Sequence, residues 1–374
     1  MRRFWIWTPP WLIAVAIVWL SSQTQYPGGI SLPAPLDKVA HASVFGVLAY
    51  CFELALRRTR HDLPMYRRQL WIFLAVALFG LSDEWHQSFV PGRDSSAFDW
   101  LADALGAALG LALSMVPFLL GQRQREFGWW RGKPERPDPK RPLILVADPH
   151  WGVELTGLRE ITRQYPEADW LFLGDVFDVW VGLPELQTEL QRAFLWWVQE
   201  RRAAGRWIGL WAGNRDYFLD RLAGQFDLLG EGVGGALPLE HLAFEHGDLV
   251  TGTDRRYRCW NLVSHSAVVW LLVNLLPASV TQALALQLER SMRTTNPTYR
   301  LAFPQEAFAA AVAEYPGSTF LTGHFHTFEE VGAGVSLPWA HEGAFALWEQ
   351  GRLTLLSAPP RSESSQRQET NRSL

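Results

Sequence analysis

Long apolar runs with few charged positions dominate the first third of the chain, and shorter apolar runs separated by polar motifs fill the rest. The long runs lie at residues 4–20, 39–56, 70–81 and 97–120. The third extends through Trp85, so each run can supply roughly the 20 residues that cross a bilayer. We therefore predict an α-helical membrane bundle of four transmembrane helices in a domain covering residues 1–121.

Basic residues flank these runs unevenly, which predicts an orientation. They precede the first run, fill the loop between the second and third, and follow the fourth: Arg2, Arg3, Arg57, Arg58, Arg60, Arg67, Arg68, Arg123, Arg125, Arg131, Lys133, Arg136, Lys140 and Arg141. The other two loops hold only Lys38 and Arg93. By the positive-inside rule we expect a multi-pass protein of the inner (cytoplasmic) membrane, with both termini and the soluble part in the cytoplasm.

After residue 141 the pattern changes to short strand-like runs that alternate with helical stretches, such as residues 184–202. The runs at residues 143–147, 170–173, 207–212, 242–245 and 319–322 each end at a polar motif. Open α/β sheets place their chemistry beyond the carboxyl ends of their strands. We predict an α/β domain at residues 142–360, after a basic, Pro-rich linker at 122–141 and before a disordered tail at 361–374.

The five polar motifs contain seven side chains of the type that bind metals: Asp148, His150, Asp175, Asn214, His246, His324 and His326. Carboxylates and neutral imidazoles suit Mn²⁺, Zn²⁺ or Fe, and Mn²⁺ is the expected metal. Two divalent ions roughly 3.5 to 4 Å apart clamp the attacking and departing oxygens of an in-line displacement at phosphorus. Asp175 is the natural bridge between them, whereas Asp178, Asp216 and Asp248 are expected to orient the ligands.

Composition narrows the functional classes. The formal net charge is -4 and the basic residues lie beside the apolar runs, so we expect no nucleic-acid partner. The chain has only two cysteines, Cys51 and Cys259, which excludes a disulfide framework within it and fits a reducing compartment for the soluble part.

Over residues 141–360 the ordered motifs resemble the calcineurin-like metallophosphoesterase superfamily. The resemblance implies a two-sheet αββα sandwich. It also implies one metal held by Asp148, His150, Asp175 and His326, and another held by Asp175, Asn214, His246 and His324. Most members have His after the Asn of the third motif, but this chain has Arg215. The expected catalytic residues are Asp175, Asn214, Arg215 and His324.

The third motif, Gly213-Asn214-Arg215-Asp216, and the second, Gly174-Asp175-Val-Phe-Asp178, resemble the UDP-2,3-diacylglucosamine pyrophosphatases of lipid A synthesis. This resemblance implies a helical lid at about residues 250–300 and substrate contacts from Arg215, Asp254 and Tyr257. The implied substrate is an acylated UDP-sugar, or a related lipid, split to UMP and an acylated sugar 1-phosphate. The chain departs from that family at residues 293–300, where Ser and Lys are usual, and lacks the common Arg-Pro after the last motif.

Polar residues also mark the ends of the apolar runs of the first domain: Asp37, Lys38, His41, Asp83, Glu84, Gln87, Arg93 and Asp99. Their segments resemble the VanZ-like family over most of residues 1–121, with Asp103 in place of a common Asn. Ionisable residues at membrane depth are usually paired or functional. A structural polar cluster and a ligand-binding or catalytic cluster are equally open readings.

Two further functions stay open beside the UDP-sugar hydrolase. The same metals could split another lipid or isoprenoid pyrophosphate, or a nucleotide. Alternatively, the chain is an envelope protein whose VanZ-like domain binds a lipid or a glycopeptide antibiotic, and whose soluble half is a scaffold.

Overall fold

The computed structural model describes residues 2–24, 34–93, 95–123, 125–152, 154–250, 255–295, 303–340 and 344–357. The helices are α1 (Arg2–Ser21), α2 (Ala34–Thr59), α3 (Met65–Gln87), α4 (Ala97–Leu113), α5 (Val116–Leu119), α6 (Thr156–Gln164), α7 (Glu189–Ala203), α8 (Arg255–Ser264), α9 (Ala267–Leu275), α10 (Ala278–Thr295) and α11 (Gln305–Ala313). The strands are β1 (Trp129–Gly132), β2 (Leu143–Val146), β3 (Asp169–Phe172), β4 (Trp180–Val181), β5 (Ile208–Ala212), β6 (Asp216–Tyr217), β7 (Leu228–Glu231), β8 (Gly235–Leu237), β9 (Leu242–Phe244), β10 (Thr319–Thr322), β11 (Glu329–Val331), β12 (Gly334–Ser336), β13 (Ala344–Glu349) and β14 (Arg352–Ser357).

The chain divides into two compact units. The first contains Met1–Trp130 and Gly252–Leu275, and the second contains Arg131–Thr251 and Leu276–Leu374. The expected linker at residues 122–141 contains strand β1. The expected tail at residues 361–374 lies outside the described residues.

The first unit is helical, and its helices α1 to α4 coincide with the four predicted apolar runs. Two stretches are long and apolar enough to cross a membrane, Leu36–Thr59 and Ala97–Leu119. Trp5–Ser21 is a shorter apolar helix. The helical N-terminal region is therefore confirmed, with two candidate membrane spans among the described helices.

Helices α2 and α4 pack closely because glycines face the partner backbone. A Cβ atom at Gly106 would meet the backbone of Ala42, and one at Gly110 would meet the backbone of Gly46. Small residues at such contacts let helix backbones approach in membrane proteins. Around this contact the unit buries one apolar cluster: Ile17, Phe45, Leu48, Ala49, Ile72, Val76, Ala107 and Leu111.

A buried ion-pair network joins α2 and α3. The Glu53 carboxylate is fully buried and lies 2.9 Å from the Arg68 Nε atom and 3.4 Å from the Arg57 Nε atom. The Arg57 guanidinium also donates to the Ser114 carbonyl at 2.9 Å. Arg57 and Arg68, which belong to the basic loop between the second and third apolar runs, are thus buried and paired.

Replacing Glu53 with alanine is expected to destabilise the full chain by roughly 3–5 kcal/mol, because two buried guanidinium groups lose their shared carboxylate. Thermal unfolding in detergent measures the change. The matched control is Asp62→Ala, which removes an exposed pair with Arg60 and should cost less than about 1 kcal/mol. Equal stability of the two variants would show that the Glu53 network contributes little.

Helices α8 and α9 belong to the same unit as the N-terminal helices. The Arg258 guanidinium donates to the Phe118 carbonyl at 3.1 Å and lies 5.0 Å from the centre of the Phe118 ring. On α9 the Trp270 ring stacks on Tyr66 at 5.5 Å. The first two helices of the expected lid are thus packed on the helical unit, whereas α10 belongs to the second unit.

The second unit contains a seven-stranded sheet, a five-stranded sheet and a two-stranded ribbon, so the predicted α/β fold is confirmed. The large sheet has the order β1-β7-β5-β3-β2-β13-β14, in which β2, β3, β5 and β7 run parallel and β13 is antiparallel to β2. Strands β2, β3 and β5 are buried throughout, as expected for parallel strands covered on both faces. The second sheet has the order β11-β12-β10-β9-β8.

Side chains from both sheets form one apolar core. Leu145, Leu171 and Trp211 come from the large sheet, and Phe244 and Leu321 come from the five-stranded sheet. Since the sheets share this core, the loops that follow their strands are held in fixed positions. Those loops carry the predicted metal ligands.

Candidate metal centre

The seven predicted ligands lie on loops that follow five strands of the second unit. Strands β2, β3 and β5 are parallel neighbours, and so are β9 and β10. Carboxyl ends of parallel neighbours meet at one edge of a sheet, which brings the loop side chains together. A hydrogen bond links the two groups of loops, because the His324 backbone N–H donates to the Asp148 Oδ2 atom at 2.6 Å.

Five of the seven residues have left-handed backbone conformations that non-glycine residues seldom adopt. Their φ angles are 49° at Asp148, 43° at His150, 49° at Asp175, 66° at His324 and 57° at His326. Such strain concentrates at functional sites, where the surrounding structure enforces it. Here it turns each side chain toward the same point.

Asn214, His246 and His324 bring three ligand-type atoms together. The Asn214 Oδ1 atom lies 2.9 Å from His246 Nε2 and 3.1 Å from His324 Nδ1, and the two imidazole nitrogens are 3.3 Å apart. Ligands about 2.0–2.1 Å from a tetrahedral metal are themselves roughly 3.3–3.4 Å apart. The three atoms are therefore spaced as ligands of one ion would be.

The orientation of His246 is fixed by the main chain. Its Nδ1 atom lies 2.8 Å from the Leu173 carbonyl oxygen, which can only accept a hydrogen bond. This contact puts a proton on Nδ1, so that in the neutral imidazole the Nε2 lone pair faces the site.

Asp148, His150 and His326 form a second group, with ligand atoms within 4.8 Å of one another. The Asp148 Oδ1 atom and both His150 ring nitrogens are buried without a hydrogen-bond partner. Buried polar atoms are normally satisfied, so an ion held by Asp148 Oδ1 and one His150 ring nitrogen would account for two of these three atoms. The residues present fit a metal at this position.

Asp175 lies between the two groups. Its Oδ2 atom is 3.7 Å from His246 Nε2 and 3.9 Å from His150 Nε2. Its Oδ1 atom accepts the Arg215 backbone N–H at 2.9 Å, and the Arg215 Nε atom is 3.5 Å from Oδ2. Asp175 therefore lies within 4 Å of one imidazole from each group.

The Asp216 carboxylate connects the loops that carry Asp175 and Asn214. Its Oδ2 atom accepts the backbone N–H groups of Asp175 at 2.9 Å and Gly213 at 2.8 Å. Gly213 must be a glycine, because a Cβ atom there would meet the Asp175 carboxylate and the His246 ring. The Asp178 Oδ1 atom lies 3.8 Å from both His150 Nδ1 and an Arg215 guanidinium nitrogen, so Asp178 also acts beside the ligands.

Burial and charge set the protonation of the site. Burial lowers the pKa of His150 to about 3 and, together with His246, that of His324 to about 4, so both imidazoles are neutral at neutral pH. Burial also acts against a proton on His246, but the charges of Asp175 and Asp148 raise its pKa to about 9. A divalent cation between these carboxylates would supply the same positive charge and displace that proton.

Trp339 is a site residue that sequence reasoning missed. Its ring stacks on His326 with ring centres 5.2 Å apart and an angle of 11° between the planes, and its edge contacts His150 at 6.2 Å. It therefore holds two imidazoles in place by packing. A lone Trp after β12 carries no local signal of this role.

The expected substrate residues Asp254 and Tyr257 are not among the residues that the structure groups at the metal centre. Asp254 lies outside the described residues, and Tyr257 lies on α8 in the helical unit.

The structure also groups the polar residues of the helical unit. Lys38 pairs with Asp99 and lies 3.4 Å from Asp37, and Gln87 donates to Asp83 at 2.9 Å. Arg93 donates to the carbonyls of Leu20 and Gln23. His41 lies 3.0 Å from Asp103, and Glu84 accepts the Ser96 N–H at 2.8 Å. Much of this set is thus paired within the unit.

The N-terminal helices match the VanZ/LLP1 family model over residues 3–120, and the C-terminal part is similar to a hydrolase. That relative, named UDP-2,3-diacylglucosamine hydrolase, comes from Photorhabdus laumondii. It is 26% identical over 240 residues, which cover 58% of this chain and 98% of that protein. An uncharacterized protein of Schizosaccharomyces pombe is 33% identical over 110 residues, which cover 28% of this chain and 63% of that protein. The chain therefore joins a VanZ-like region to a region similar to that hydrolase, and the VanZ match and apolar helices indicate a membrane protein.

Proposed function

We propose that this chain is a membrane-anchored, two-metal phosphoesterase that hydrolyses the pyrophosphate of UDP-2,3-diacylglucosamine to UMP and an acylated sugar 1-phosphate. Asp148, His150, Asp175 and His326 would hold one divalent ion. Asp175, Asn214, His246 and His324 would hold the other. The proposal includes the finer architecture expected from the sequence, namely four transmembrane helices and an αββα sandwich.

One observation carries this proposal. The Asn214, His246 and His324 ligand atoms lie 2.9–3.3 Å apart, while Asp148 and His150 beside them hold buried atoms without partners. The similarity to a UDP-2,3-diacylglucosamine hydrolase over 98% of that protein supports the substrate class.

The metal ions and the protein groups would supply different parts of the chemistry. When bound, two divalent cations of the Mn²⁺ class supply Lewis-acid charge and lower the pKa of the attacking water. The Leu173 carbonyl and the Trp339 ring hold the imidazoles in position. Neutral His150 and His324 are already in the protonation state that metal binding requires.

Arg215 supplies positive charge from the chain itself. Its side chain is nearly buried and lies beside Asp175 and Asp178. An arginine does not give up a proton at neutral pH, so it cannot act as the acid for the leaving group. Its fork of N–H donors can instead stabilise charge that develops on the phosphate oxygens.

Anchoring suits a lipid substrate, since a tethered enzyme meets a membrane-bound substrate at a raised effective concentration. We place the phosphoesterase domain on the cytoplasmic face of the inner membrane, following the distribution of basic residues. Asp254 and Tyr257 remain the proposed substrate-binding residues of the insertion.

The test uses the full chain in detergent with Mn²⁺ and follows UMP release from UDP-2,3-diacylglucosamine. An isoprenoid pyrophosphate and a generic phosphodiester are assayed beside it. We expect UMP release that stops on chelation and returns with Mn²⁺. Turnover of the isoprenoid pyrophosphate alone would keep the metals but replace the substrate. Inertness toward all three, with metal bound, would favour the scaffold reading.

A further inference from the structure

A second group of metal-ligand side chains lies in the helical unit, apart from the phosphoesterase motifs. His41 comes from α2, Glu84 from the last turn of α3 and Asp103 from α4. One ligand atom from each residue lies within 4.8 Å of the other two. Three separate helices therefore bring an imidazole and two carboxylates to one point.

Two oxygen atoms in this group have no partner. Asp103 is 0% exposed and Glu84 is 6% exposed, yet Asp103 Oδ2 and Glu84 Oε1 are buried without a hydrogen bond. The other oxygen of each carboxylate is satisfied, by His41 Nδ1 at 3.0 Å and by the Ser96 N–H at 2.8 Å. An unpaired buried carboxylate oxygen costs free energy unless a cation or a donor meets it.

Nearby basic side chains do not meet these oxygens. Lys38 pairs with Asp99 and Asp37, and Arg93 donates to main-chain carbonyls. In the described part of the chain, no lysine or arginine forms an ion pair with Glu84 or Asp103. His41, beside Asp103, is thus the only chargeable nitrogen among the described residues that contacts these two carboxylates.

The Asp103 side chain packs closely against α3. A Cβ atom at Gly80 would lie 3.1 Å from Asp103 Oδ2 and 3.2 Å from the Phe45 ring. The Trp100 indole N–H donates to the Ala77 carbonyl at 3.0 Å and fixes α4 against α3 beside it. The Asp103 carboxylate is therefore confined by its neighbours on α2 and α3.

We propose that His41, Glu84 and Asp103 bind one divalent metal ion in the VanZ-like region, separate from the phosphoesterase centre. One imidazole and two carboxylates suit Mn²⁺, Fe²⁺ or Zn²⁺. Three protein ligands leave coordination positions for water or for an oxygen of a bound molecule, as in catalytic sites. The polar cluster is then a binding site as well as a structural one.

The test counts metal in full-length protein whose phosphoesterase motifs are disabled by Asp148→Asn and Asp175→Asn. The protein is stripped with a chelator, equilibrated with Mn²⁺ or Zn²⁺, freed of excess metal and analysed for bound ions by mass spectrometry. We expect about one ion per chain in this background. Adding Glu84→Gln or Asp103→Asn should weaken binding at least about tenfold, since each removes a charged ligand.

The matched control is Asp83→Asn in the same background. Asp83 neighbours Glu84 in sequence but is bonded to Gln87, so its loss should leave the ion bound. Absence of an ion in the background, or its retention after both Glu84→Gln and Asp103→Asn, would overturn the proposal.

X-ray absorption at the zinc edge of the background protein tests the proposal even if the Glu84→Gln and Asp103→Asn variants do not fold. A coordination sphere of oxygen with one imidazole supports the site. A sphere without imidazole overturns it. Neither result depends on whether the phosphoesterase half turns over UDP-diacylglucosamine.

Discussion

Asp175→Asn is expected to lower kcat at least roughly 10³-fold and to abolish tight metal binding at the phosphoesterase centre. Asp175 is the carboxylate that faces both groups of ligands, at 3.7 Å from His246 Nε2 and 3.9 Å from His150 Nε2. The asparagine amide has nearly the shape of the Asp175 carboxylate but lacks the negative charge that would hold two cations. UMP release and bound metal per chain measure the two effects.

The same variant should fold at least as well as the wild type when metal is absent. Burial and the charge of Asp175 together raise the pKa of the neighbouring Asp216 to about 7, so the metal-free carboxylates repel one another. Neutralising Asp175 removes that repulsion. We therefore expect equal or greater thermal stability without metal, and no gain when Mn²⁺ is added.

Asp138→Asn is the control for these measurements, because Asp138 is an exposed carboxylate beside Arg141. It should retain full activity and the full stabilisation by Mn²⁺. An Asp175→Asn protein that still binds two ions and turns over at the wild-type rate would remove Asp175 from the bridging position.

The ligand loops could be predicted from sequence because each signal is local. An apolar strand run followed at once by Asp-Pro-His, or by Gly-Asn-Arg, needs no knowledge of distant residues. The predicted runs at residues 143–147 and 319–322 coincide with β2 and β10 within one residue. Parallel pairing then places their ends together.

Other features depend on contacts between residues far apart in the chain, which local patterns do not contain. The stacking of Trp339 on His326 and the bond from the His324 N–H to Asp148 are of this kind. So is the packing of Trp270 on Tyr66, which places α9 with the N-terminal helices. The family resemblance implied helices at about residues 250–300 but not the partners of α8 and α9.

The count of basic residues in a loop is limited in the same way, because it does not show which charges are already paired. Arg57 and Arg68 contribute to the basic loop that predicts orientation, yet both are buried against Glu53. A residue's type in a loop window does not reveal whether its charge is already balanced. Here the balancing carboxylate lies in the apolar run before the loop, where a lone Glu gives no sign of its partners.

Arg215→Ala is expected to lower kcat by about 10²–10³-fold, as the loss of one preorganised donor does in other enzymes. The Arg215 Nε atom lies 3.5 Å from Asp175 Oδ2, and its guanidinium approaches the Asp178 carbonyl at 3.5 Å. This puts the donor fork at the edge of the metal centre rather than inside it. We therefore expect metal content to stay unchanged while kcat falls, with a smaller change in KM.

Arg215→Lys separates charge from geometry. A lysine keeps the positive charge but offers a single point of contact, so it should restore only part of the lost kcat. Arg163→Ala, which removes an exposed pair with Glu160, should leave kcat unchanged and serves as the surface control. If Arg215 only balanced the charge of Asp175, its loss would instead change metal affinity, and lysine would replace it fully. The split between kcat and metal occupancy therefore decides whether this arginine acts on the phosphate or on the ligand beside it.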